Sequence, residues 1–240
     1  MSQNGTGYEH LARPVPRKVA FADAALVMAK VFGWMSAGLA ITAVVAMFTA
    51  QNQMLKEIFV DDPWILIPVF LVEILLVWAI SSAVDRISAG VATVLFITFA
   101  VVNGLTLSFL FLAFDLGSLA TMFFVTSATF GVMALYGYTT RRDLTSLGNL
   151  CTMLLLGLSI GCGTTVFTGS SAIGRAITCL GILIFVGLTA YDVQNIRTMA
   201  ETVYPDTEEG QAVAIHGALE LYLDFLNLFL DLIRLLGHRK

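Results

Sequence analysis

The feature that most constrains this chain is a series of seven long apolar runs, which charged residues interrupt only rarely. Each run is close to the roughly 20 residues that an α-helix needs to cross a bilayer. The runs are continuous and lack the period-two alternation of barrel strands, which favours helices. The sequence therefore predicts an all-α, polytopic membrane protein with a seven-helix bundle. The runs cover approximately 28–50, 64–83, 90–113, 118–138, 147–168, 173–194 and 217–236.

The composition supports the same class. Hydrophobic residues make up 58% of the 240 residues and charged residues only 12%, against roughly 25% charged in soluble domains. Such a chain has too few polar side chains to cover the surface of a soluble fold. A soluble enzyme, a nucleic-acid-binding domain and a disulfide-rich secreted scaffold are thereby excluded, and the lipid bilayer is the expected surrounding.

The domain organisation follows from the position of the polar segments. Residues 1–27 are expected to form a flexible cytoplasmic tail, 28–236 the transmembrane domain and 237–240 a short C-terminal tail. No short apolar core followed by a small-residue cleavage site opens the chain, so no signal peptide is predicted. The connections are short except for 195–216, so any activity must reside in the bundle.

The distribution of Lys and Arg predicts the orientation. The N-terminal side collects eight of these residues and the opposite side two, Lys56 and Arg175, if the C-terminal tail is set aside. We therefore expect a cytoplasmic N-terminus. The tail conflicts with a seventh crossing, which would give eight against five, whereas a last segment that does not cross gives eleven against two. Both topologies remain open. The eight residues are Arg13, Arg17, Lys18, Lys30, Arg86, Arg141, Arg142 and Arg197, and the tail adds Arg234, Arg239 and Lys240.

The Cys and His residues do not indicate a metal centre. Cys151, Cys162 and Cys179 lie in apolar runs, and the chain has only three His. Their spacing matches neither a disulfide framework nor a Cys/His site. We expect no bound cofactor.

The last apolar run carries a narrow polar seam. Five polar residues follow one another in steps of four, three, four and three, which places them on one helical stripe. A helix lying on the membrane surface would have a broader, basic polar face. The seam indicates either a path accessible to water or ions or internal hydrogen bonding, and Asp231 and Arg234 alternatively pair at the helix end. The seam residues are Glu220, Asp224, Asn227, Asp231 and Arg234.

Asp192 and Asp224 are the leading candidates for a function, because ionisable residues in membrane spans are expensive. Asp192 ends the sixth run, and Asp224 lies about 10 Å deeper in the next helix at 1.5 Å per residue. A tilt or register offset would bring the two carboxylates together, and two carboxylates in contact then share one proton. Such a pair predicts a pH-sensitive latch with weak, transit-type calcium binding, or a hydrogen-bonded pair without a transport role.

Glu73 is the second buried acid that the sequence predicts. It lies in the middle of the second run without a basic residue beside it. Two interpretations stay open: a protonated, hydrogen-bonded carboxyl, or a residue that lines an ion path. Asn103 and Thr106 in the third run are expected to join helices by hydrogen bonds, and Lys30 is expected to extend its amine to the interface.

Four stretches resemble the Bax inhibitor-1, or transmembrane Bax inhibitor motif, family in a bacterial form. They are Asn103-Gly-Leu-Thr-Leu-Ser108, Tyr136-Gly-Tyr-Thr-Thr-Arg-Arg-Asp-Leu-Thr145, Leu188-Thr-Ala-Tyr-Asp-Val-Gln-Asn-Ile196 and Leu221-Tyr-Leu-Asp-Phe-Leu-Asn-Leu-Phe229. The resemblance covers about 28–236 and implies seven helices with the last one at the centre. It also implies a pH-dependent calcium leak, with Asp192 and Asp224 as the ion-binding and pH-sensing pair. The short tail and the absence of an arginine from the second run depart from the family pattern.

Two functions remain as alternatives. The first is a calcium-permeable leak gated by the aspartate pair, with Glu220, Asn227, Asp231 and Glu73 as pore-lining candidates. The second is a non-transporting partner of a membrane-bound ATP-dependent protease, engaged through the N-terminal tail. An enzyme is not expected: the glycine-containing loop of an intramembrane aspartyl protease is missing around Asp224. The expected location is the bacterial inner membrane.

Overall fold

The computed structural model describes residues 21–58, 63–82, 88–168 and 171–238. Helices dominate these ranges, and a short 3-10 turn, Pro63–Ile65, precedes the third of them. The helices are α1 (Phe21–Gln51), α2 (Gln53–Lys56), α3 (Leu66–Ser82), α4 (Ala89–Leu107), α5 (Phe109–Ala113), α6 (Leu116–Thr139), α7 (Thr145–Thr168), α8 (Ser171–Ala200) and α9 (Glu208–Leu236).

The predicted all-α membrane class is confirmed. Among the described residues, five segments are long and apolar enough to cross a membrane. Two further apolar helices, Ile67–Ser81 and Thr145–Gly161, are shorter. Length and hydropathy thus account for five crossings rather than the predicted seven. The five segments are Ala22–Gln51, Ala89–Ala113, Leu116–Thr139, Ala172–Ala200 and Glu208–Leu236.

Three predicted boundaries are wrong. Helix α1 begins at Phe21, so the polar tail is not flexible up to residue 27; residues 1–20 lie outside the described ranges. Helix α8 continues to Ala200 and α9 begins at Glu208, which shortens the predicted loop 195–216 to 201–207. Polar composition suggested a loop there, but local interactions keep the backbone helical.

Those interactions are visible at both helix ends. At the end of α8, Arg197 pairs with Glu201 one turn later, with 3.3 Å between nitrogen and oxygen. At the start of α9, the Thr207 hydroxyl accepts a 3.1 Å hydrogen bond from the Gly210 N–H. The acids Glu208 and Glu209 then occupy the first turn, where they interact favourably with the helix dipole.

Helix α9 lies at the centre of the bundle. It packs against α1, α3, α4, α6 and α8. Of its most apolar 18-residue window, 72% is buried, compared with 28–39% for the other four candidate spans. The central position that the family resemblance implies is therefore present.

Close packing against α8 fixes the register of α9. A Cβ added to Gly217 of α9 would lie 2.8 Å from Ile196 of α8. Further along the same pair of antiparallel helices, the side chain of Asp231 occupies the space beside Gly181. The two glycines permit a backbone approach that larger residues would prevent.

The C-terminus lies at the opposite end of the bundle from the α8–α9 connection. The backbone N–H of His238 donates 2.9 Å to the Ser118 hydroxyl at the start of α6. By contrast, Arg197 near the end of α8 donates to the carbonyl of Tyr138 at the end of α6. Helix α9 therefore runs the whole length of the bundle. We call these ends the C-terminal end and the loop end.

Candidate ion-binding site

The structure brings Asp192 and Asp224 together. Asp192 lies on α8, Asp224 on α9, and their side chains are hydrogen-bonded to each other. Asp224 is buried, with only 5% of its surface exposed. Because ionised carboxylates only accept hydrogen bonds, a bond between these two groups requires a proton on one of them.

The helix register explains this contact. Asp192 lies about two turns, or roughly 12 Å, before the end of α8. Asp224 lies 16 residues beyond the first residue of α9, roughly 24 Å along its axis. These two lengths differ by roughly 12 Å, close to the predicted offset, so the contact requires the ends of the two helices to be staggered. The packing of Gly217 on Ile196 brings residues 192 and 224 to neighbouring levels.

An imidazole and a third carboxylate lie on the loop side of the pair. His216 Nε2 is 3.2 Å from Glu220 Oε1, one helical turn away on α9. Both residues interact electrostatically with Asp192. Glu220 was a sequence candidate, whereas His216 was missed although it precedes Glu220 by four residues and so extends the polar seam by one turn.

A buried thiol borders the same site. Cys151 of α7 is 5% exposed and lies in electrostatic range of Asp192 and Asp224. It occupies the space beside Gly187 of α8, where an added Cβ would be 2.8 Å from Sγ. The thiol is free, as is that of Cys179; the side chain of Cys162 lies outside the described residues. Sequence spacing could not predict this position of Cys151, because it results from the packing of α7 against α8.

Three buried polar atoms around the pair have no hydrogen-bond partner: His216 Nδ1, Glu220 Oε2 and Asp224 Oδ2. An unpaired buried polar atom costs roughly 1–3 kcal/mol, so such atoms usually bind water or an ion. Across the described ranges, no group of three or more Asp, Glu, His or Cys side chains is arranged to hold a metal ion. Calcium takes six to eight oxygens, so the acids offer it only part of a coordination shell.

Glu73 belongs to a second polar site. Its carboxylate on α3 accepts a 2.7 Å hydrogen bond from the Thr106 hydroxyl on α4, as expected for Thr106 as a link between helices. Glu73 also lines a cavity of about 340 Å³ together with Asn103, Asn227 and Arg234. Both interpretations of Glu73 therefore have a structural counterpart: the carboxyl is hydrogen-bonded and it faces a cavity.

The residues of the polar seam of α9 face two different places, the aspartate site and the Glu73 cavity. Glu220 and Asp224 face the aspartate site, and Asn227 and Arg234 face the Glu73 cavity. Asp231 contacts Gly181 and lies 3.6 Å from the Arg234 guanidinium, which is the ion pair considered as the alternative role. Asn227 also donates 2.9 Å to the Leu223 carbonyl of its own helix.

Other predicted polar residues have local roles. Lys30 does not simply reach the interface: its amine donates 2.6 Å to the Pro205 carbonyl and lies 3.4 Å from Asp206. The amine thus ties α1 to the α8–α9 connection. Arg86, the basic residue nearest the second run, lies outside the described ranges, as do Arg239 and Lys240 of the tail.

A buried hydroxyl pair, missed from the sequence, anchors the centre of α9. The Tyr222 hydroxyl lies 2.6 Å from that of Thr42 on α1, which also donates 2.8 Å to the Ala100 carbonyl on α4. The Tyr222 ring packs edge-on against Phe96 and Phe99. Tyrosine was counted with the apolar residues of the helix, so nothing in the spacing indicated this bond.

Comparisons with known proteins agree with the fold and the motifs. The model of the family described as "Inhibitor of apoptosis-promoting Bax1" matches residues 24–240. The inner membrane protein YbhL of Escherichia coli K12 is 42% identical over 214 residues, which cover 89% of this chain and 92% of that protein. An uncharacterized protein of Borreliella burgdorferi is 44% identical over 213 residues, again 89% and 92% of the two chains.

More distant relatives extend the match. An uncharacterized protein of Deinococcus radiodurans is 39% identical over 208 residues, covering 87% of this chain and 88% of its own. An uncharacterized membrane protein of Streptococcus pyogenes serotype M1 is 32% identical over 211 residues, covering 87% and 91%. With a matching family model over nearly the whole chain and relatives of this identity, the chain belongs to the Bax inhibitor-1 family of multi-pass membrane proteins.

Proposed function

We propose that this protein is a pH-sensitive, calcium-permeable leak whose gate is the Asp192–Asp224 pair. The observation that carries the proposal is the contact between two buried carboxyl groups on different helices. Such a contact is stable only while one proton is shared. A chain that needed only packing at this position would be better served by apolar residues.

The shared proton acts as the latch. With the proton in place, the hydrogen bond joins α8 to α9 and the path between them is closed. Loss of the proton leaves two like charges in a low-dielectric surrounding, which repel and favour separation of the helices. A cation entering between the carboxylates relieves that repulsion. Calcium binds weakly there, because water and backbone must supply most of its ligands.

The topology completes the proposal. The shorter helices α3 and α7 bring the five long segments to seven crossings, and the cytoplasmic N-terminus follows from the excess of Lys and Arg at the loop end. Among the described cations, Lys30, Arg141, Arg142 and Arg197 lie there. The likeness to YbhL, which is named an inner membrane protein, favours the bacterial inner membrane for this chain as well.

Reconstitution tests the gate. The wild-type protein and the variants Asp192→Asn and Asp224→Asn are placed in liposomes that contain a calcium-sensitive dye. Calcium influx is then measured from pH 5 to pH 8. We expect wild-type influx to rise with pH as the pair loses its proton. Each Asn variant retains a hydrogen bond without a titrating pair, so its influx is expected to stay low and independent of pH.

Asp115→Asn is the matched control. Asp115 precedes α6, is exposed and makes no side-chain hydrogen bond to the helix start. Its variant should keep the wild-type pH profile. Calcium influx that depends on pH to the same degree in Asp192→Asn and Asp224→Asn as in the wild type would refute the gate.

A further inference from the structure

A lateral cleft separates α1 from α6. The two helices both pack on α9 but have few contacts with each other. The space between them has a volume of about 700 Å³, and Phe225 of α9 forms part of its floor. The walls are apolar or small side chains, among them Ala29, Phe32, Ser36, Ser127, Gly131 and Leu135.

The helices on either side of the cleft carry exposed apolar side chains. On the two helices beside it, Leu26, Val44, Val132 and Leu135 are between 54% and 67% exposed, as lipid-facing residues are. An empty cleft would deprive its walls of dispersion contacts. The cleft volume lies within the roughly 300–1,000 Å³ that suits a ligand of moderate size. Hydrocarbon chains of the bilayer are the molecules that can enter it from this side.

Two arginines follow the loop end of the cleft in the sequence. Tyr138 lines that end, and Arg141 and Arg142 follow it by three and four residues. Both are exposed, and neither forms an ion pair with another described residue. By contrast, the other described cations at this end are engaged: Lys30 with Asp206, and Arg197 with Glu201.

The turn that carries these arginines is held in place from α8. The Gln194 amide donates 2.8 Å to the Arg142 carbonyl, and its oxygen accepts 2.9 Å from the Leu144 N–H. The neighbouring acid Asp143 accepts a 2.9 Å hydrogen bond from the Thr145 N–H at the start of α7. The backbone of the turn is thus fixed, while both guanidinium groups remain available.

We propose that the cleft and the two arginines form one binding site for an anionic phospholipid of the surrounding bilayer. An acyl chain occupies the cleft between α1 and α6, and the phosphate contacts Arg141 and Arg142. Guanidinium groups bind phosphate through paired, charge-assisted hydrogen bonds. Basic groups beside a gap between transmembrane helices are a typical setting for anionic headgroups.

Native mass spectrometry tests the site. The full-length protein is released from nanodiscs that contain equal amounts of phosphatidylglycerol and phosphatidylcholine, and the retained lipids are counted and identified. We expect one retained phosphatidylglycerol per chain. The double variant Arg141→Ala/Arg142→Ala should lower the preference for phosphatidylglycerol about tenfold. Gly131→Leu should lower the retention of both lipids, because its side chain fills the cleft.

The structure offers matched controls. A Cβ on Gly131 meets no atom within 4 Å, so a side chain added there enters the open space of the cleft, and a Cβ on Gly157, on the exposed face of α7, is equally free. Gly157→Leu therefore controls for the added side chain. Arg175→Ala removes an exposed arginine at the other end of the bundle. Both controls should retain lipid as the wild type does.

Three outcomes would overturn the proposal. The first is equal retention of both lipids by the wild type, which would indicate hydrocarbon filling without headgroup recognition. The second is unchanged retention in Gly131→Leu and in the double arginine variant. The third is a wild-type dimer that Gly131→Leu dissociates, which would identify a second copy of the chain as the occupant. Because lipids are counted directly, the result does not depend on calcium transport.

Discussion

The two buried carboxylate sites differ in the hydrogen-bond partner that they give a buried acid. Glu73 is paired with a neutral donor, the Thr106 hydroxyl. Asp224 is paired with another acid, Asp192, and a third acid and an imidazole lie nearby. A neutral donor satisfies a carboxyl group in either protonation state, whereas a pair of acids is satisfied only while it shares a proton. Under the proposed function, pH sensitivity therefore belongs to the aspartate site, whereas Glu73 is hydrogen-bonded beside a cavity.

The largest expected effect comes from moving the backbone beside the aspartate site. A Cβ on Gly137 of α6 would overlap the carbonyl of Ala190, two residues before Asp192. Gly137→Ala should therefore displace α8 and destabilise the protein by about 1–3 kcal/mol. Thermal unfolding in detergent measures the loss. Gly131→Ala, on the same helix but with free space around its Cβ, should not be destabilised; an equal loss in both variants would contradict the close α6–α8 contact.

Removing the neutral donor tests the Glu73 site. Thr106→Val keeps the shape of the side chain but leaves the buried carboxylate without its cross-helix hydrogen bond. We expect a loss of about 1–2 kcal/mol in unfolding free energy, while the pH profile of calcium influx remains that of the wild type. Thr98→Val is the control, because the exposed Thr98 hydroxyl bonds only within its own helix. A changed pH profile in Thr106→Val would remove the distinction between the two sites.

A smaller effect is expected at Tyr222 of α9. Tyr222→Phe removes the hydroxyl that lies 2.6 Å from Thr42. Thr42 keeps its bond to the Ala100 carbonyl, so the loss should be about 0.6–1 kcal/mol, as for a hydrogen bond between transmembrane helices. Thermal unfolding is the measurement, with the exposed Tyr136→Phe as the reference. A loss as large as that of Gly137→Ala would mean that Tyr222 has a further role.

The smallest effect concerns an exposed acid, the counterpart of the two buried sites. Hydrogen bonds from the Thr145 hydroxyl and N–H lower the pKa of Asp143 below its ordinary value of 3.8. A lowered pKa in the folded state stabilises it above pH 3.8, and this contribution disappears as the pH falls through the folded value. Asp143→Ala should therefore unfold at a slightly lower temperature than the wild type at pH 7 but not at the acid limit.

Asp143→Asn separates charge from hydrogen bonding in that experiment. Its side-chain oxygen still accepts from Thr145, but it does not titrate. The melting temperature of this variant relative to that of Asp143→Ala should be independent of pH between 3 and 7. If the wild type and Asp143→Ala differ equally at pH 3 and pH 7, the hydrogen bonds do not lower the pKa of this carboxyl.

The apolar runs predicted the class of the fold because membrane spanning depends on length and hydropathy, which are local properties. The ends of the helices were harder to predict from the sequence. The segment from Asn195 to Ala200 is polar, yet it stays helical because Arg197 contacts Glu201 and Tyr138. Composition reports polarity, whereas the continuation of a helix depends on contacts made by particular side chains.

The residues of the candidate site, like the helix ends, were predictable only in part. Asp192, Asp224 and Glu220 were predicted because charge within an apolar run is costly. His216 lay on the same stripe, one turn before Glu220, and a search at four-residue spacing would have found it. The same search could not have found the role of Cys151 or the Tyr222–Thr42 hydrogen bond. Both depend on contacts between helices far apart in the sequence, whose levels are set by glycines such as Gly187 and Gly104.

The central position of α9 has a consequence for biosynthesis. The helix that contacts five others comprises residues 208–236 and is therefore synthesised after all five of them. Until it arrives, the earlier helices lack the surface on which α1, α6 and α8 pack, so the bundle must stay open in the bilayer to admit it. A chain that stops before residue 208 consequently has no central helix to pack around, and the inner faces of its earlier helices stay uncovered.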